Sequence, residues 1–240
     1  MISEQTRIIN LKQSLKLIPY RVDSVYFGMA LDEVLFELTQ ETSNGYIRLS
    51  SFSEKSVTVG YFQKYKKEYQ NQYVDITRRV TGGGLVEHNN DLILSLLFKY
   101  NNQKNVSFYY EIIHNAIFFA LQAIGYNSSI YKKNRKSSAS KESLCFSNPV
   151  QYDILVDNKK IVGGAMSRKK GAFLYQGSLQ FVKLSDNKSV IKFQNILLSF
   201  LAEELNFDIS GINDYSKQIK KADMLSVQKY QNGDWIRKYR

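Results

Sequence analysis

Apolar residues recur along this chain with two different periods, and the switches between them mark its elements. Phe27, Leu31, Leu35 and Leu38 fall three or four residues apart behind Asp23 and Ser24, either of which can cap a helix lying on a core. Residues 46–49 and 56–62 are extended runs rich in branched and aromatic side chains, and the polar Ser53-Glu54-Lys55 between them predicts a hairpin. Residues 73–80 read as a strand that stops at Thr81-Gly82-Gly83-Gly84, and residues 92–98 as an almost continuously apolar strand of a buried sheet. Ser107 stands where it can cap a helix over 108–124, apolar on nearly every face and stopped by Gly125, so a sandwiched position is expected. Asp157-Asn158-Lys159 is a hairpin turn between strands at 152–156 and 160–165; a strand at 172–182, a helix at 190–205 and a tail with one short helix follow. Strands and helices mix without strict alternation, which is the α+β class, and without repeat or linker the chain reads as a single domain over residues 1–240.

Composition changes the picture in three respects. With 43% hydrophobic residues the chain buries a sizeable core, yet no stretch approaches the roughly 18–20 apolar residues of a bilayer span. The start MISEQTRIINLKQSLKL lacks the apolar centre of a secretory signal, so a cytoplasmic protein without membrane association is expected. One cysteine, Cys145, excludes an internal disulfide, and with only His88 and His114 beside it the chain cannot build a metal site of His and Cys alone. No protein-held metal is expected, although magnesium carried by a substrate stays open. The balance of 33 basic to 22 acidic residues, +11, attracts polyanions. It fits a solvated surface, an acidic protein partner or nucleic acid; basic residues spread from Lys12 to Arg240, without zinc-finger spacing, basic zipper or aromatic RNA-binding signature, speak against the last. The run KKNRKSSASKE, with Lys132, Lys133, Arg135 and Lys136, reads as a basic loop able to steer such a partner.

Candidate chemistry gathers in three places. In RRVTGGGLVEH, residues 78–88, the three glycines expose amide donors and let the main chain approach a ligand beside Arg79; the plainer alternative is a tight connection. Neither a Walker nor a dinucleotide fingerprint is present. In KKIVGGAMSRKKGAFLYQGSL, residues 159–179, strand alternation would aim Lys160 to the face of Val162, with Gly163 and Gly164 leaving room for a ligand. The alternative there is an exposed strand-end lysine. Cys145, in SLCFSNP, is either a small buried hydrophobe or a thiolate favoured by nearby cations, with His88 as a conceivable base.

Together with YFGMALDEVLF, IRLSSF and SVTVGYFQ, these two long motifs resemble the biotin and lipoate protein-ligase superfamily over about residues 20–205, in the branch of lipoate-protein ligases and monomeric octanoyltransferases. The resemblance implies a mixed, largely antiparallel sheet with flanking helices, like the catalytic domain of class II synthetases and biotin ligases. It further implies an apolar tunnel for the acyl chain, with Val59 and Leu85 among its walls. Carried over by position, Arg79, Gly82, Gly83 and Gly84 form the binding loop, His88 is its final histidine, and Lys160 contacts the acyl carbonyl or adenylate. Gly163, Gly177 and Ser178 complete the substrate site.

The implied activity is attachment of an octanoyl or lipoyl group to a lysine of an acceptor lipoyl domain, on an E2 subunit or glycine cleavage H protein. Cys145 before a proline resembles the nucleophile of transferases that take octanoate from acyl carrier protein. The departures are Gly163-Gly164-Ala165-Met166 where those enzymes show Gly-Ser-Ala-Gln, and Tyr175-Gln176-Gly177 where they show Gln-His-Gly. No tightly bound cofactor is implied. Ligation of free lipoate with ATP and magnesium remains the alternative, biotin is a weaker third substrate, and a non-catalytic lipoyl-domain or nucleic-acid binding module is the reading of another class.

Overall fold

The computed structural model describes residues 12–66, 75–132, 149–180 and 187–239. The chain opens with strand β1 (Gln13–Asp23), helix α1 (Val25–Glu41) and β2 (Gly45–Phe52), then β3 (Ser56–Val59), β4 (Asp75–Arg78), β5 (Val86–His88) and β6 (Leu92–Lys99). Helix α2 (Val106–Ala123) precedes β7 (Ser129–Ile130), β8 (Ile154–Val156), β9 (Lys159–Lys169) and β10 (Ala172–Leu179); α3 (Asn187–Glu204), β11 (Phe207–Gly211), α4 (Ser216–Leu225), a π-helical turn at Ser226–Tyr230 and α5 (Gly233–Ile236) follow. Eight strands form one sheet in the order β11-β1-β2-β6-β10-β9-β8-β7, and β4-β3-β5 form a second. β1 runs parallel to β2 and β11, and every other pairing in the large sheet is antiparallel, so the mixed, largely antiparallel architecture stands.

The central strands carry apolar residues at nearly every position because both faces are covered. From β6, Leu92, Leu94, Leu96 and Phe98 pack toward α2 and α3 with Phe173, Tyr175 and Leu179 of β10. Ile93 and Leu97, with Ala172 and Leu174, face α1, where Leu31, Leu35 and Val34 meet them. Ser24 caps α1, its hydroxyl accepting from the Phe27 amide. At α2 the cap is Asn105, whose side-chain oxygen takes the Phe108 amide at 2.8 Å, in place of the expected Ser107. The hairpin at Asp157-Asn158 forms with both residues at positive φ, 49° and 60°, as a tight two-residue turn requires.

Residues 46–49 and 56–62 do not make the expected hairpin. β2 already has β1 on one edge and β6 on the other, so no edge remains for β3, which steps into the second sheet and pairs with β4 and β5. β3 also ends at Val59. Strands β1 and β11 were not foreseen. Pro19 interrupts the alternation of β1, where the register to β2 shifts between Ile18 and Arg21, and β11 is only five residues long.

A buried polar lattice ties helix α1 to the sheet. Asp32, fully buried, accepts from Arg48 Nε of β2 at 2.7 Å, Ser95 Oγ of β6 at 2.7 Å and Gln176 Nε2 of β10 at 2.6 Å. Arg48 also donates to the Gly28 carbonyl. On the other face, His114 of α2 stacks on Tyr110 and sits between the Tyr152 carbonyl at Nδ1 and the Tyr175 hydroxyl at Nε2, each 2.9 Å away. The carbonyl fixes the proton on Nδ1, so the neutral ring accepts from Tyr175.

Burial, with the nearby Lys160 charge, pushes His114 down to about 3 from its ordinary 6.5. The unfolded chain takes up a proton below 6.5 that the folded chain refuses until about 3. Stability therefore falls across that window as pH drops, by up to about 1.4 kcal/mol per unit. Urea unfolding between pH 7 and 4.5 should show this acid slope, and His114→Gln should flatten it even if it lowers stability at pH 7. Equal slopes in both proteins would remove His114 as the cause.

Candidate active site

A cleft opens on the α1 side of the large sheet. Its walls are Met29 of α1, Thr58 and Val86 of the second sheet, Ile93 of β6, Gly163 to Ala165 of β9 and Gln176 to Ser178 of β10, with Arg79 and His88. Alternation explains the membership: Gln176 and Ser178 point to this face while Tyr175 points away, and in register Gly163 lies across from Ser178 and Ala165 from Gln176. Val59 and Leu85 do not line it; they pack with Val57 and Ile76 in the core of the second sheet, and Met29, Val86 and Ile93 supply the apolar wall.

The glycine loop between β4 and β5 is built around its arginines. Arg79 donates to the Thr58 carbonyl (3.0 Å) and hydroxyl (3.2 Å) and to the carbonyls of Gly82 and Gly84 (2.7 Å each). The guanidinium thus curls the loop around itself, with Gly83 at φ 87°. Gly82, Gly83 and Gly84 lie outside the cavity lining, while Arg79 touches it. Gly60 is glycine because a Cβ there would drive into the Gly83 carbonyl. Arg78, fully buried, donates to the carbonyls of Gly60, Tyr61, Gln63, Trp235 and Ile236. Desolvation lowers its pKa from the ordinary value. The segment 235–236 is thereby strapped to the loop, and Trp235 Nε1 returns a bond to the Arg78 carbonyl at 2.8 Å.

Lys160 is not an exposed strand-end lysine. Its side chain is 3% exposed and pairs with Asp153 Oδ2 at 2.8 Å; Asp153 also takes the Tyr110 hydroxyl at 2.6 Å and the Val150 amide at 2.6 Å. The β8–β9 register slips by one residue at Ile161. This bulge overrides simple alternation, and the Lys160 head reaches the space above Gly163, opposite the face of Val162. A Cβ on Gly163 would meet Lys160 Cε and lie 2.7 Å from Nζ, so the glycine makes room for the lysine itself. Gly164 and Gly177 answer to a different neighbour: the Tyr175 ring lies against both and a Cβ on either would strike it.

At the same end of the cavity, His88 Nδ1 meets Asp91 Oδ2 at 2.8 Å and His88 Nε2 meets Thr58 Oγ1 at 2.9 Å. Ser178 donates to that Asp91 oxygen at 2.5 Å. Farther along, Gln176 gives its amide to Asp32 and takes the Thr81 hydroxyl at 2.7 Å, linking the helix α1 lattice to the glycine loop.

The structure thus brings Arg79, His88, Gly163, Gly177 and Ser178 to one cavity, with Lys160 directly behind Gly163. Cys145, like Lys133, Arg135 and Lys136, lies outside the described residues. Met29, Thr58, Asp91 and Gln176 were missed by sequence reasoning. The signal available was Asp32, a carboxylate embedded in the apolar stripe of α1, which demands buried donors such as Gln176. Among the described residues no cluster of three or more His, Cys, Asp or Glu could hold a metal ion, and no helix is long and apolar enough to cross a membrane.

The chain is similar to octanoyltransferase LipM of Clostridioides difficile, 27% identical over 88% of this chain and 94% of that protein. It is 30% identical to octanoyltransferase LipM of Staphylococcus epidermidis over 80% of this chain and 76% of that protein. In fold it is similar to a bipartite lipoate protein ligase of Thermoplasma acidophilum, solved in a study of that ligase and its E2 lipoyl domain, with a TM-score of 0.70, 20% identity and coverage of 95% and 96% of the two chains. Residues 24–204, from the cap of α1 to the end of α3, match the lipoyl protein ligase A/B catalytic domain, and the chain belongs to that family.

Proposed function

We propose that this chain moves an octanoyl group from the thioester of acyl carrier protein to a lysine of an acceptor lipoyl domain. By its family and relatives it is an enzyme, an acyltransferase or a ligase. The observation that carries the finer reading is the cavity: apolar walls at Met29, Val86 and Ile93 lead to a polar end where Lys160, Ser178 and His88 gather. Burying an eight-carbon tail there contributes several kcal/mol at about 0.8 per methylene, enough to select a plain acyl chain. Relatives named for octanoyl transfer support the substrate, and the ligase with its E2 lipoyl domain supports the acceptor.

In this reading Cys145 attacks the octanoyl thioester, Lys160 stabilises the oxyanion, and the acceptor amine resolves the acyl-enzyme. Arg79 holds Gly82 to Gly84 as a rigid lip, His88 and Ser178 bound the reacting end, and Gly163 and Gly177 form part of the cavity wall along which the acyl group lies. No tightly bound cofactor takes part; octanoate enters as carrier thioester, and ATP with magnesium belongs to the rival ligase chemistry. A cytoplasmic setting goes with it, because a lone thiol that works as a thiolate needs a reducing compartment. The +11 charge gives an acidic carrier or acceptor its attraction.

Mixing the protein with octanoyl carrier protein, without acceptor, should add one octanoyl group, removed by neutral hydroxylamine and absent in Cys145→Ala. Mass spectrometry reads both. Full activity of Cys145→Ala with lipoate and ATP would make the protein a ligase.

Lys160→Ala should lower transfer by about 100-fold or more. It should also cost roughly 3–5 kcal/mol of stability, because Asp153 is left buried and unpaired. Lys160→Ala combined with Asp153→Asn should regain most of the stability and none of the activity, as read by urea unfolding beside a transfer assay. An active double variant would remove Lys160 from the chemistry.

A further inference from the structure

The polar cluster at the Lys160 end of the cavity has an orientation that goes beyond binding. Asp91 is buried, and its Oδ2 takes two donors, the Ser178 hydroxyl and His88 Nδ1. A carboxylate only accepts, so the His88 proton sits on Nδ1 and Nε2 carries the lone pair. The Thr58 hydroxyl donates to Nε2 while its oxygen accepts from Arg79 Nη1 at 3.2 Å, so the arginine fixes which way that hydroxyl turns. Phe52 meets the imidazole edge-on at 4.9 Å and pins its plane. The other Asp91 oxygen, Oδ1, is buried and has no hydrogen-bond partner among the described residues. The position follows from contacts already given: Ser178 lies across from Gly163 in register, and Gly163 is where the Lys160 head rests.

We propose that His88 is the general base of the aminolysis step, with Asp91 as its positioning residue. The inference rests on the acyl-transfer reading above. The acceptor lysine nitrogen forms its bond to the acyl carbonyl carbon, its surplus proton passes to the Thr58 oxygen as the Thr58 hydroxyl proton passes to His88 Nε2, and the bond from that carbon to the leaving group breaks. The electron pair departs with the thiolate, or with AMP where the acyl donor is an adenylate. Arg79, through Thr58, and Asp91, directly, are the charged groups hydrogen-bonded to this relay, and the Lys160 head over Gly163 lies at the same end of the cavity.

The test separates loading from transfer. Octanoyl-enzyme is formed from octanoyl carrier protein, then mixed rapidly with acceptor lipoyl domain or with hydroxylamine, a nucleophile that needs no base at neutral pH. His88→Gln retains hydrogen-bonding atoms toward Asp91 and Thr58 but cannot take up the proton. It should load within about threefold of wild type, react normally with hydroxylamine and pass its acyl group to the acceptor roughly 100-fold or more slowly. His88→Ala should behave alike and regain transfer with added imidazole. Asp91→Asn should lower the transfer kcat tenfold or more while leaving acceptor KM and loading unchanged. Transfer by His88→Gln at the wild-type rate, or equal losses in loading and transfer, would overturn the proposal. Wild-type protein that fails to load would instead sink the thioester reading, and the same variants mixed with octanoyl adenylate and acceptor then decide the role of His88 by the same ratio.

Discussion

The Asp32 carboxylate is the point from which the rest of this structure is held. A charge so completely removed from water survives only where donors surround it, and here they come from three strands that are far apart in sequence. Because Arg48, Ser95 and Gln176 must all reach one residue of α1, the helix has a fixed height and rotation over β2, β6 and β10. Apolar packing alone would tolerate sliding of a helix over a sheet; the lattice does not. Gln176 then passes the constraint to Thr81, so the glycine loop is located relative to the cavity floor by the same carboxylate.

The two consecutive arginines of that loop are bonded extensively to main chain. Arg78 and Arg79 distribute their protons over main-chain carbonyls, which would otherwise be unpaired in a region too irregular for a ladder. Two cations with this bonding act as hubs for turns. Lys160 differs, since Asp153, itself bound by the Tyr110 hydroxyl, holds it by charge and its head rests over Gly163. The cavity therefore has a rigid rim on one side and an ion pair on the other.

Much of this was legible in the sequence and some could not be. Helix α1 with its cap narrowed to Asp23 or Ser24, the Asp157-Asn158 hairpin and the buried strand β6 were written in local patterns, which depend only on neighbours a few residues away. The motif residues Arg79, His88, Gly163, Gly177 and Ser178 do converge on one cavity, but the reason each has its identity was not readable: Gly163 yields to Lys160, and Gly177 yields to the Tyr175 ring. Strand pairing was where reading failed. Whether β2 turns back on β3 depends on which strands already occupy its edges, and β1 and β6 are placed there by contacts across the whole chain. β1 was hidden by Pro19, and the bulge at Ile161 reversed the face on which Lys160 was expected.

The strap at residues 235 and 236 bears on how the molecule comes into being. Arg78 lies more than 150 positions before the carbonyls that complete its coordination, and β1 waits almost 200 positions for β11. During synthesis, the frame of the glycine loop stays incomplete until residue 236 has cleared the ribosome, so early segments of the chain persist with a guanidinium held by water and an open sheet edge. A nascent chain built this way has a long interval in which a chaperone is of use, and the frame of its glycine loop closes only once residues 235 and 236 are in place.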